Sequence, residues 1–188
     1  MARLLAFNNV TLDGYFAGPS GDISWFKRPD SDPEFHAFVA ENAKAGGVLL
    51  FGRITYELMA SYWPTPQAMQ QDPVIAKGMN EARKFVFSRT LSTMSWGNTT
   101  LLKGDLASEV RKLKETSDRG IAILGSGTIV SQLTEARLID EYQFVVNPVI
   151  LGRGRSLFEG VKKPLPLKLT GTRAFRNGNV LLCYEPVE

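Results

Sequence analysis

The chain has 188 residues, enough for one domain spanning residues 1–188 with a sizeable core. Its apolar fraction of 44% and charged fraction of 22% are those of an ordinary soluble globular protein. The net charge is +3 and the basic residues are scattered, which disfavours nucleic acid and favours a small anionic ligand.

The sequence has no secretory leader and no apolar run of about 18 residues, so we expect a cytoplasmic protein that does not enter a membrane. A single histidine, His36, and a single cysteine, Cys183, disfavour a zinc site and exclude an intrachain disulfide. We expect His36 to face solvent from an early helix and Cys183 to be a small core residue.

Strand patterns alternate with helix patterns along most of the chain. The predicted strands cover residues 3–10, 48–51, 85–87, 99–102, 121–124, 142–146, 165–169 and 180–184. Predicted helices begin at Asp32-Pro33, where Asp is the N-cap, and at Gly52-Arg53. Two further predicted helices carry apolar residues at helical spacing. In the first these are residues 106, 110 and 113, and in the second residues 129, 130, 133 and 136.

Turn residues predict the connections. Glycines and Pro19 predict irregular backbone after the first strand, and residues 148–160 are also expected to form a loop. Pro64, Pro66 and Pro73 predict a stretch that is mostly loop, with one helical turn after Asp72-Pro73. Asn177-Gly178 predicts a two-residue hairpin turn.

The order of these elements predicts the fold class. Strands and helices alternate until about residue 147, and the chain then closes with an antiparallel hairpin. This order predicts an α/β fold with a mixed, mostly parallel sheet, helices on both of its faces, and the hairpin at the C-terminal edge.

The stretch from Ile121 to Ala136 predicts a buried strand, a tight turn of small residues and a helix. The turn is Gly125-Ser126-Gly127. Unpaired N–H groups and the dipole at the start of the helix favour a phosphate there. The alternative is that Gly125 and Gly127 only permit a sharp turn in an ordinary α/β unit.

Two further junctions, Gly52-Arg53 and Ser88-Arg89, also follow strands, and parallel strands end at one edge of a sheet, where ligands bind. A pyrophosphate could lie across the helix N-termini that follow Gly52 and Gly125. Arg89, helped by Ser88 and Arg53, would take a further phosphate, which favours NADPH over NADH. The alternative is that both arginines are ordinary surface residues.

Several enzyme classes are disfavoured. The turn at Ser126 lacks the Gly-x-Ser-x-Gly spacing of a serine hydrolase, and the one histidine lies far away on an early helix. The usual dinucleotide fold opens on a glycine-rich turn after its first strand, whereas here the first strand continues into Thr11-Leu12-Asp13-Gly14.

These residues resemble the dihydrofolate reductase-like family, and most closely the stand-alone relatives of the reductase domain of the riboflavin-biosynthesis deaminase/reductase. The resemblance covers nearly the whole chain. Its motifs are Thr11-Leu12-Asp13-Gly14-Tyr15-Phe16-Ala17-Gly18, Gly21-Asp22-Ile23-Ser24-Trp25, Gly52-Arg53-Ile54-Thr55-Tyr56-Glu57, Phe87-Ser88-Arg89-Thr90, Gly125-Ser126-Gly127 and Asn147-Pro148-Val149-Ile150-Leu151-Gly152-Arg153-Gly154.

The resemblance implies a three-layer α/β/α fold, a homodimer, and a loop after the first strand that closes over a nicotinamide. It implies that two segments hold the pyrophosphate of NADPH: Gly52, Arg53 and Thr55, and Gly125, Ser126, Gly127, Thr128 and Ile129. It implies that Ser88 and Arg89 hold the 2′-phosphate.

The resemblance also implies a substrate pocket with walls at Asp13, Trp25, the Phe35/Phe38 helix and the segment from Val146 through Asn147 to Arg155. In that segment, Arg153 and Arg155 would hold a substrate phosphate or, equally, form a dimer contact. The zinc-binding pattern of the deaminase is absent, so only the reduction step is expected.

The function expected from this resemblance is an NADPH-dependent reductase, like 5-amino-6-(5-phosphoribosylamino)uracil reductase, that transfers hydride to a heterocyclic or sugar-linked carbon of a small substrate. Asp13 would orient the substrate or pass a proton, directly or through a water molecule. Its alternative role is to cap its own turn.

Two rival functions remain open. A folate or pterin reductase needs a carboxylate on its first helix. Four acidic residues could occupy that place, namely Asp22, Asp30, Asp32 and Glu34. Of these, Asp32 is better explained as a helix cap. The other rival is a non-catalytic NADP-binding protein.

Overall fold

The computed structural model describes residues 1–26 and 32–187, and within them the chain forms ten strands and six helices. The strands are Leu4–Thr11 (β1), Tyr15–Ala17 (β2), Val48–Gly52 (β3), Arg83–Phe87 (β4), Thr99–Leu102 (β5), Ile121–Leu124 (β6), Glu141–Asn147 (β7), Arg155–Ser156 (β8), Leu167–Ala174 (β9) and Val180–Pro186 (β10). The helices are Pro33–Ala45 (α1), Arg53–Ala60 (α2), Pro66–Gln71 (α3), Pro73–Glu81 (α4), Leu106–Thr116 (α5) and Gly127–Glu135 (α6).

Eight strands form one sheet in the order β5-β4-β3-β6-β1-β7-β10-β9. All of them run parallel except β10, which is antiparallel to both of its neighbours. The predicted mixed, mostly parallel sheet with a C-terminal hairpin is therefore confirmed.

Helices cover the sheet on both faces, which confirms the predicted three layers. On one face, α5 and α6 pack against a core that includes Leu4, Ile123 and Val130. On the other face, α1 to α4 enclose a cluster around Phe51 and Trp96.

A third, smaller cluster lies beneath α1 and includes Phe35, Phe175 and Leu181. Cys183 packs against this cluster from β10 but is only half-buried, so it is a peripheral core residue. None of the helices in the described part of the chain is long and apolar enough to cross a membrane.

The start of α1 confirms the predicted cap. The Asp32 carboxylate accepts hydrogen bonds from the N–H groups of Glu34 and Phe35, and Pro33 occupies the first helical position. Asp32 also accepts a bond from the N–H of Asn177, which ties the helix to the C-terminal hairpin.

The prediction that residues 64–73 are mostly loop was wrong. This region contains α3, capped by the Thr65 hydroxyl, and α4 then continues to Glu81. Pro66 and Pro73 begin these helices, because a proline in the first turn has no N–H that the helix needs.

The predicted two-residue hairpin turn was also wrong. The N–H of Phe175 donates to the carbonyl of Asn179 at 2.9 Å, so strand pairing continues one step further and leaves a three-residue turn at 176–178. Gly178 has a φ of +86°, as the third residue of such a turn requires.

Both predicted loops contain a short strand that the sequence did not reveal. β2 lies in the loop after β1, and β8 lies in the 148–160 loop. The two strands pair through Tyr15 with Ser156 and Ala17 with Arg155, and so join the two loops at the carboxyl edge of the sheet.

Candidate functional site

The three strand ends singled out in the sequence lie side by side. β4, β3 and β6 are consecutive and parallel in the sheet, so the turns after Phe87, Gly52 and Leu124 share one edge. The sequence predicted the common edge, and the structure adds that the two glycine turns are immediate neighbours.

The hydroxyl of Ser126 joins these two glycine turns. Its Oγ accepts a hydrogen bond from the N–H of Gly52 at 2.7 Å and donates one to Oγ1 of Thr55 at 2.9 Å. Thr55 Oγ1 therefore keeps its own hydrogen for another acceptor. Ser126 reaches this position with a left-handed backbone, φ 62° and ψ 65°, directly after Gly125 at φ +61°.

The N-termini of α2 and α6 consequently lie close together, and neither helix has a side chain that caps it within the described chain. Their first N–H groups point beyond the edge of the sheet with the positive ends of the helix dipoles. Thr128 is exposed in the first turn of α6, whereas Ile129 is buried beneath it. Such a pair of helix ends fits an extended anion such as a pyrophosphate.

Arg53 and Arg89 differ in what they contact. Arg53 pairs with Glu57 on its own helix at 2.9 Å. Arg89 is exposed, and no described residue forms an ion pair with it. Ser88 is 9% exposed, and its hydroxyl accepts bonds from the N–H groups of Thr90 and Leu91, which shapes the turn that presents Arg89.

The loop after β1 reaches the start of α6. The ring of Phe16 lies so close to Gly127 that a β-carbon there would come within 2.6 Å of two ring atoms. A side chain at this position would therefore force the ring of Phe16 to move away from α6. The loop after the first strand therefore contacts the start of α6, and its closure over a nicotinamide stays a prediction.

Asp13 fastens that loop to the 148–160 loop. Its carboxylate accepts hydrogen bonds from the Thr11 hydroxyl at 2.6 Å and from the N–H groups of Leu151 and Gly152 at 3.2 and 2.7 Å. These bonds, the one from Thr11 above all, hold the pKa of Asp13 below its ordinary value. An ionised carboxylate is a poor proton donor, so the geometry favours a positioning role.

A cleft of about 1350 Å³ opens on the sheet face that carries α1 to α4. Leu5, Phe7 and Asn9 of β1 form part of its floor, together with Leu124 at the end of β6. One wall comes from α1, and the other includes Leu58, Met59 and Tyr62. Because Leu124 directly precedes Gly125, the cleft begins beside the turn Gly125-Ser126-Gly127.

The predicted substrate residues have different positions relative to this cleft. Phe38 stands behind its lining, between the rings of Phe7 and Phe175 at 6.2 and 5.6 Å. Trp25 lies next to Phe26, which lines the cleft, and its buried Nε1 has no partner among the described residues.

Arg153 and Arg155 are exposed and lie outside the described lining of the cleft. Nε of Arg155 donates to the carbonyl of Pro19, a contact that holds the loop after β1. The structure therefore does not bring either arginine to the part of the cleft beneath the glycine turn.

Asn147 ends β7 on the same face of the sheet as Asn9, outside the described lining of the cleft, and is 8% exposed. Its Nδ2 donates to the carbonyls of Val145 at 2.9 Å and Val10 at 3.3 Å, and to Oδ1 of Asn9 at 3.3 Å. Asn9, which sequence reasoning missed, is the residue of this pair that lines the cleft. A polar residue within a largely apolar strand was its only signal in the sequence.

The early carboxylates are committed to structural contacts. Asp22 accepts bonds from Ser24, Asp32 caps α1, and Glu34 pairs with Arg173 at 2.7 Å. Asp30 lies outside the described residues.

His36 is exposed, as predicted, but it also bonds Asp72 at 2.9 Å on the wall of the cleft. Within residues 1–26 and 32–187, no cluster of three His, Cys, Asp or Glu side chains is arranged to hold a metal ion.

Comparisons with known proteins place this architecture. The chain is similar to the uncharacterized protein YyaP of Bacillus subtilis (strain 168), with 30% identity over 97% of this chain and 94% of YyaP.

Solved structures share the fold. A putative riboflavin biosynthesis protein from Shewanella sp. PV-4 has a TM-score of 0.75 at 21% identity, with full coverage of both chains. The Thermotoga maritima diaminohydroxyphosphoribosylaminopyrimidine deaminase/5-amino-6-(5-phosphoribosylamino)uracil reductase has a TM-score of 0.68 at 18% identity, over 99% of this chain and 57% of that one. Enterococcus faecalis dihydrofolate reductase, complexed with NADP(H), has a TM-score of 0.64 at 13% identity, over 99% of this chain and 97% of that one.

The model of one protein family, the RibD C-terminal domain, matches residues 2–181. That match covers nearly the whole sheet and all the turns described above. The chain therefore belongs to the RibD C-terminal domain family, a reductase-related family, and has the dihydrofolate reductase-like fold.

Proposed function

We propose that this protein is an NADPH-dependent oxidoreductase that transfers hydride directly to a small heterocyclic or sugar-linked substrate, as a 5-amino-6-(5-phosphoribosylamino)uracil reductase does. One observation carries the proposal. Two helix N-termini that no described side chain caps are joined through Ser126, at the edge of the sheet where β4 also ends at Ser88-Arg89. No described residue forms an ion pair with Arg89, and a large cleft opens next to the helix ends. Membership of a reductase-related family supports it.

The residues present fit this cofactor. The N–H groups at the starts of α2 and α6, with the hydroxyls of Thr55 and Thr128, would hold the pyrophosphate. Arg89, presented by the Ser88 turn, would take the 2′-phosphate. The nicotinamide supplies the hydride when NADPH is bound. The protein would contribute position and exclusion of water, with Asp13 fixing the two loops that cover the edge.

Arg89→Ala tests the cofactor part of the proposal by calorimetric titration with NADPH and NADH. A charge-assisted hydrogen bond is worth about 1.5–3 kcal/mol, so the substitution should weaken NADPH binding by roughly 10- to 150-fold. NADH, which lacks the 2′-phosphate, should bind the variant and the unmodified protein equally well.

Arg83→Ala is the matched control, because Arg83 is exposed at the opposite end of the same strand, over the ring of Phe85. It should leave both titrations unchanged. Failure of the unmodified protein to bind either nucleotide would exclude the proposed reductase, and NADPH binding without loss in Arg89→Ala would exclude the assigned phosphate contact.

We also propose a homodimer. The outer strand β9 offers eight mostly exposed residues at the end of the sheet, and Leu169 is 49% exposed on it. A mass of two chains by light scattering at micromolar concentration would support this assembly. A mass of one chain would contradict it.

A further inference from the structure

The floor of the cleft changes from apolar to polar next to the cofactor turn. Leu5, Phe7 and Asn9 alternate along β1 and line the cleft from its middle toward the carboxyl edge of the sheet. On the neighbouring strand β6, Leu124 lines the same end and is followed by Gly125. A flat molecule in the cleft would therefore contact Asn9 at the end where a nicotinamide would meet it.

Asn147, on the neighbouring strand β7, fixes the orientation of the Asn9 amide. The carbonyls of Val145 and Val10 accept hydrogen bonds from Asn147, which identifies the side-chain atom between them as the donor Nδ2. This amino group can therefore only donate to Asn9. Asn9 accordingly presents Oδ1 to Asn147 at 3.3 Å. Its Nδ2 then faces away from Asn147, and no described residue accepts a hydrogen bond from it.

Two other polar residues that line the cleft, Asp32 and His36, have defined partners. Asp32 caps α1 and accepts a bond from Asn177. His36 bonds Asp72 at 2.9 Å. Asn9 is thus a fixed donor set in a largely apolar floor, where a ligand that lacks an acceptor would leave that donor unsatisfied.

We infer that Asn9 is the polar contact that orients the substrate, and that Asn147 is the residue that positions it. The ligand class is a flat heterocycle with an acceptor atom, a carbonyl oxygen or an unprotonated ring nitrogen, on the edge that faces β1. This inference rests on the proposed function for its identification of the ligand as the substrate, while the amide geometry stands on its own.

Two probes of similar size test the polarity of this contact. Isoquinoline has a ring nitrogen that only accepts, and indole has an N–H that only donates. In titrations followed by two-dimensional NMR, the unmodified protein should bind isoquinoline about fivefold to tenfold more tightly than indole, with shifts at Phe7, Asn9 and Leu124.

Substitutions of Asn9 and of Asn147 should change the preference for isoquinoline over indole in different ways. Asn9→Asp keeps the bond from Asn147 but turns an acceptor toward the cleft, so it should reverse the preference. Asn9→Leu should abolish the preference. Asn147→Ser is too short to reach Asn9 and frees its amide to rotate, so it should shrink the ratio toward one. A merely structural role for Asn147 would weaken both probes equally.

Gln132→Glu, an amide-to-carboxylate change at an exposed position on α6, should leave the ratio unchanged. Asn9→Ala provides a second removal of the donor if Asn9→Leu does not fold, which the NMR spectrum reports. Equal affinity of the unmodified protein for both probes, or titrations that leave Phe7, Asn9 and Leu124 unmoved, would overturn the inference.

The two proposals fail separately. NADPH binding with no probe preference would remove the role of Asn9 and retain the cofactor site. A preference without NADPH binding would remove the reductase and retain Asn9 as a contact in a ligand cleft.

Discussion

Ser126 combines an unfavourable backbone with a side chain that has two partners. A left-handed φ of 62° is costly for a residue that has a β-carbon, by about 1–2 kcal/mol. The residue keeps this conformation while its hydroxyl bonds Gly52 and Thr55, in the neighbouring turn. Position 126 therefore has a reason to be serine rather than glycine.

Two substitutions separate these effects. Ser126→Ala keeps the strain and loses both hydrogen bonds, so it should lower the free energy of unfolding by about 1–3 kcal/mol. Ser126→Gly loses the same bonds but relieves the strain, and should cost about 0.5–1 kcal/mol less than Ser126→Ala. Urea unfolding measures both. Ser92→Ala, at an exposed position, is the control. Equal values for the alanine and glycine variants would show that the strain does not exceed the entropy cost of glycine, about 0.5–1 kcal/mol.

Some residues of the candidate site could be proposed from the sequence, because the glycines, Ser88 and Arg89 directly follow recognisable strands. Asn9 was not, since it lies inside the first strand and local pattern cannot tell which face of a sheet borders a cleft. The role of Asp13 as a clamp also needed the structure, because its partners Leu151 and Gly152 are far away in the chain.

Among the elements, α4 ends over a buried lysine. Nζ of Lys84 donates to the carbonyls of Met79, Asn80 and Ala82 at 2.9, 3.1 and 2.7 Å, and lies 4.4 Å from the centre of the Trp96 ring. Lys84 is fully buried, and burial lowers its pKa to about 8. The cation satisfies carbonyls that the end of a helix leaves unpaired.

The pH dependence of stability should reveal this lysine. Between pH 8 and the model-compound value of 10.5, the unfolded chain binds the proton that the folded chain has released. Raising the pH in this window therefore stabilises the folded protein relative to Lys84→Met, by roughly 1.4 kcal/mol per pH unit. Urea unfolding at several pH values measures the difference.

Lys77→Met is the matched control on the same helix, because the Lys77 side chain is 68% exposed. Its stability difference from the unmodified protein should not change across this window. Parallel curves for Lys84→Met and the unmodified protein would contradict the assigned pKa.

Elements with apolar periodicity, such as α5 and β6, were predictable from local sequence. Those that depend on proline context or on distant partners were not. Pro66 and Pro73 look like helix breakers until their first-turn positions are known, and β2 and β8 are too short to carry a pattern without each other.

At the scale of the whole molecule, the sheet has a protected centre and an open margin. β1 is bonded to β6 on one side and β7 on the other, and alternate residues such as Leu4 and Ala6 are fully buried. β9 is the last strand of the order, and most of its residues are exposed. Local opening should therefore be much easier at β9.

Amide hydrogen exchange measures this difference. At a concentration where light scattering shows one chain, we expect the amides of β9 to exchange at least about 100-fold faster than those of β1 that bond to β6 and β7. The neighbouring strand β10, bonded on both sides, is the internal comparison. Uniform protection from β1 to β9 would show that the sheet opens as one unit.

The class of the fold was predictable because alternating strands and helices permit few arrangements. The strand order was not, since nothing in the local sequence states that Leu4 pairs with Ile121. The two glycine turns became a single candidate site only when the chain placed β3 beside β6.

This strand order has a consequence for biosynthesis. β1 leaves the ribosome first, yet Leu4 and Leu5 pair with Ile121 and Glu141, which are translated much later. At about 5–20 residues per second, the nascent first strand waits several seconds or more for either neighbour. Translation that stalls before β6 would leave the apolar residues 4–7 without the neighbouring strands that cover their backbone, and so open to aggregation.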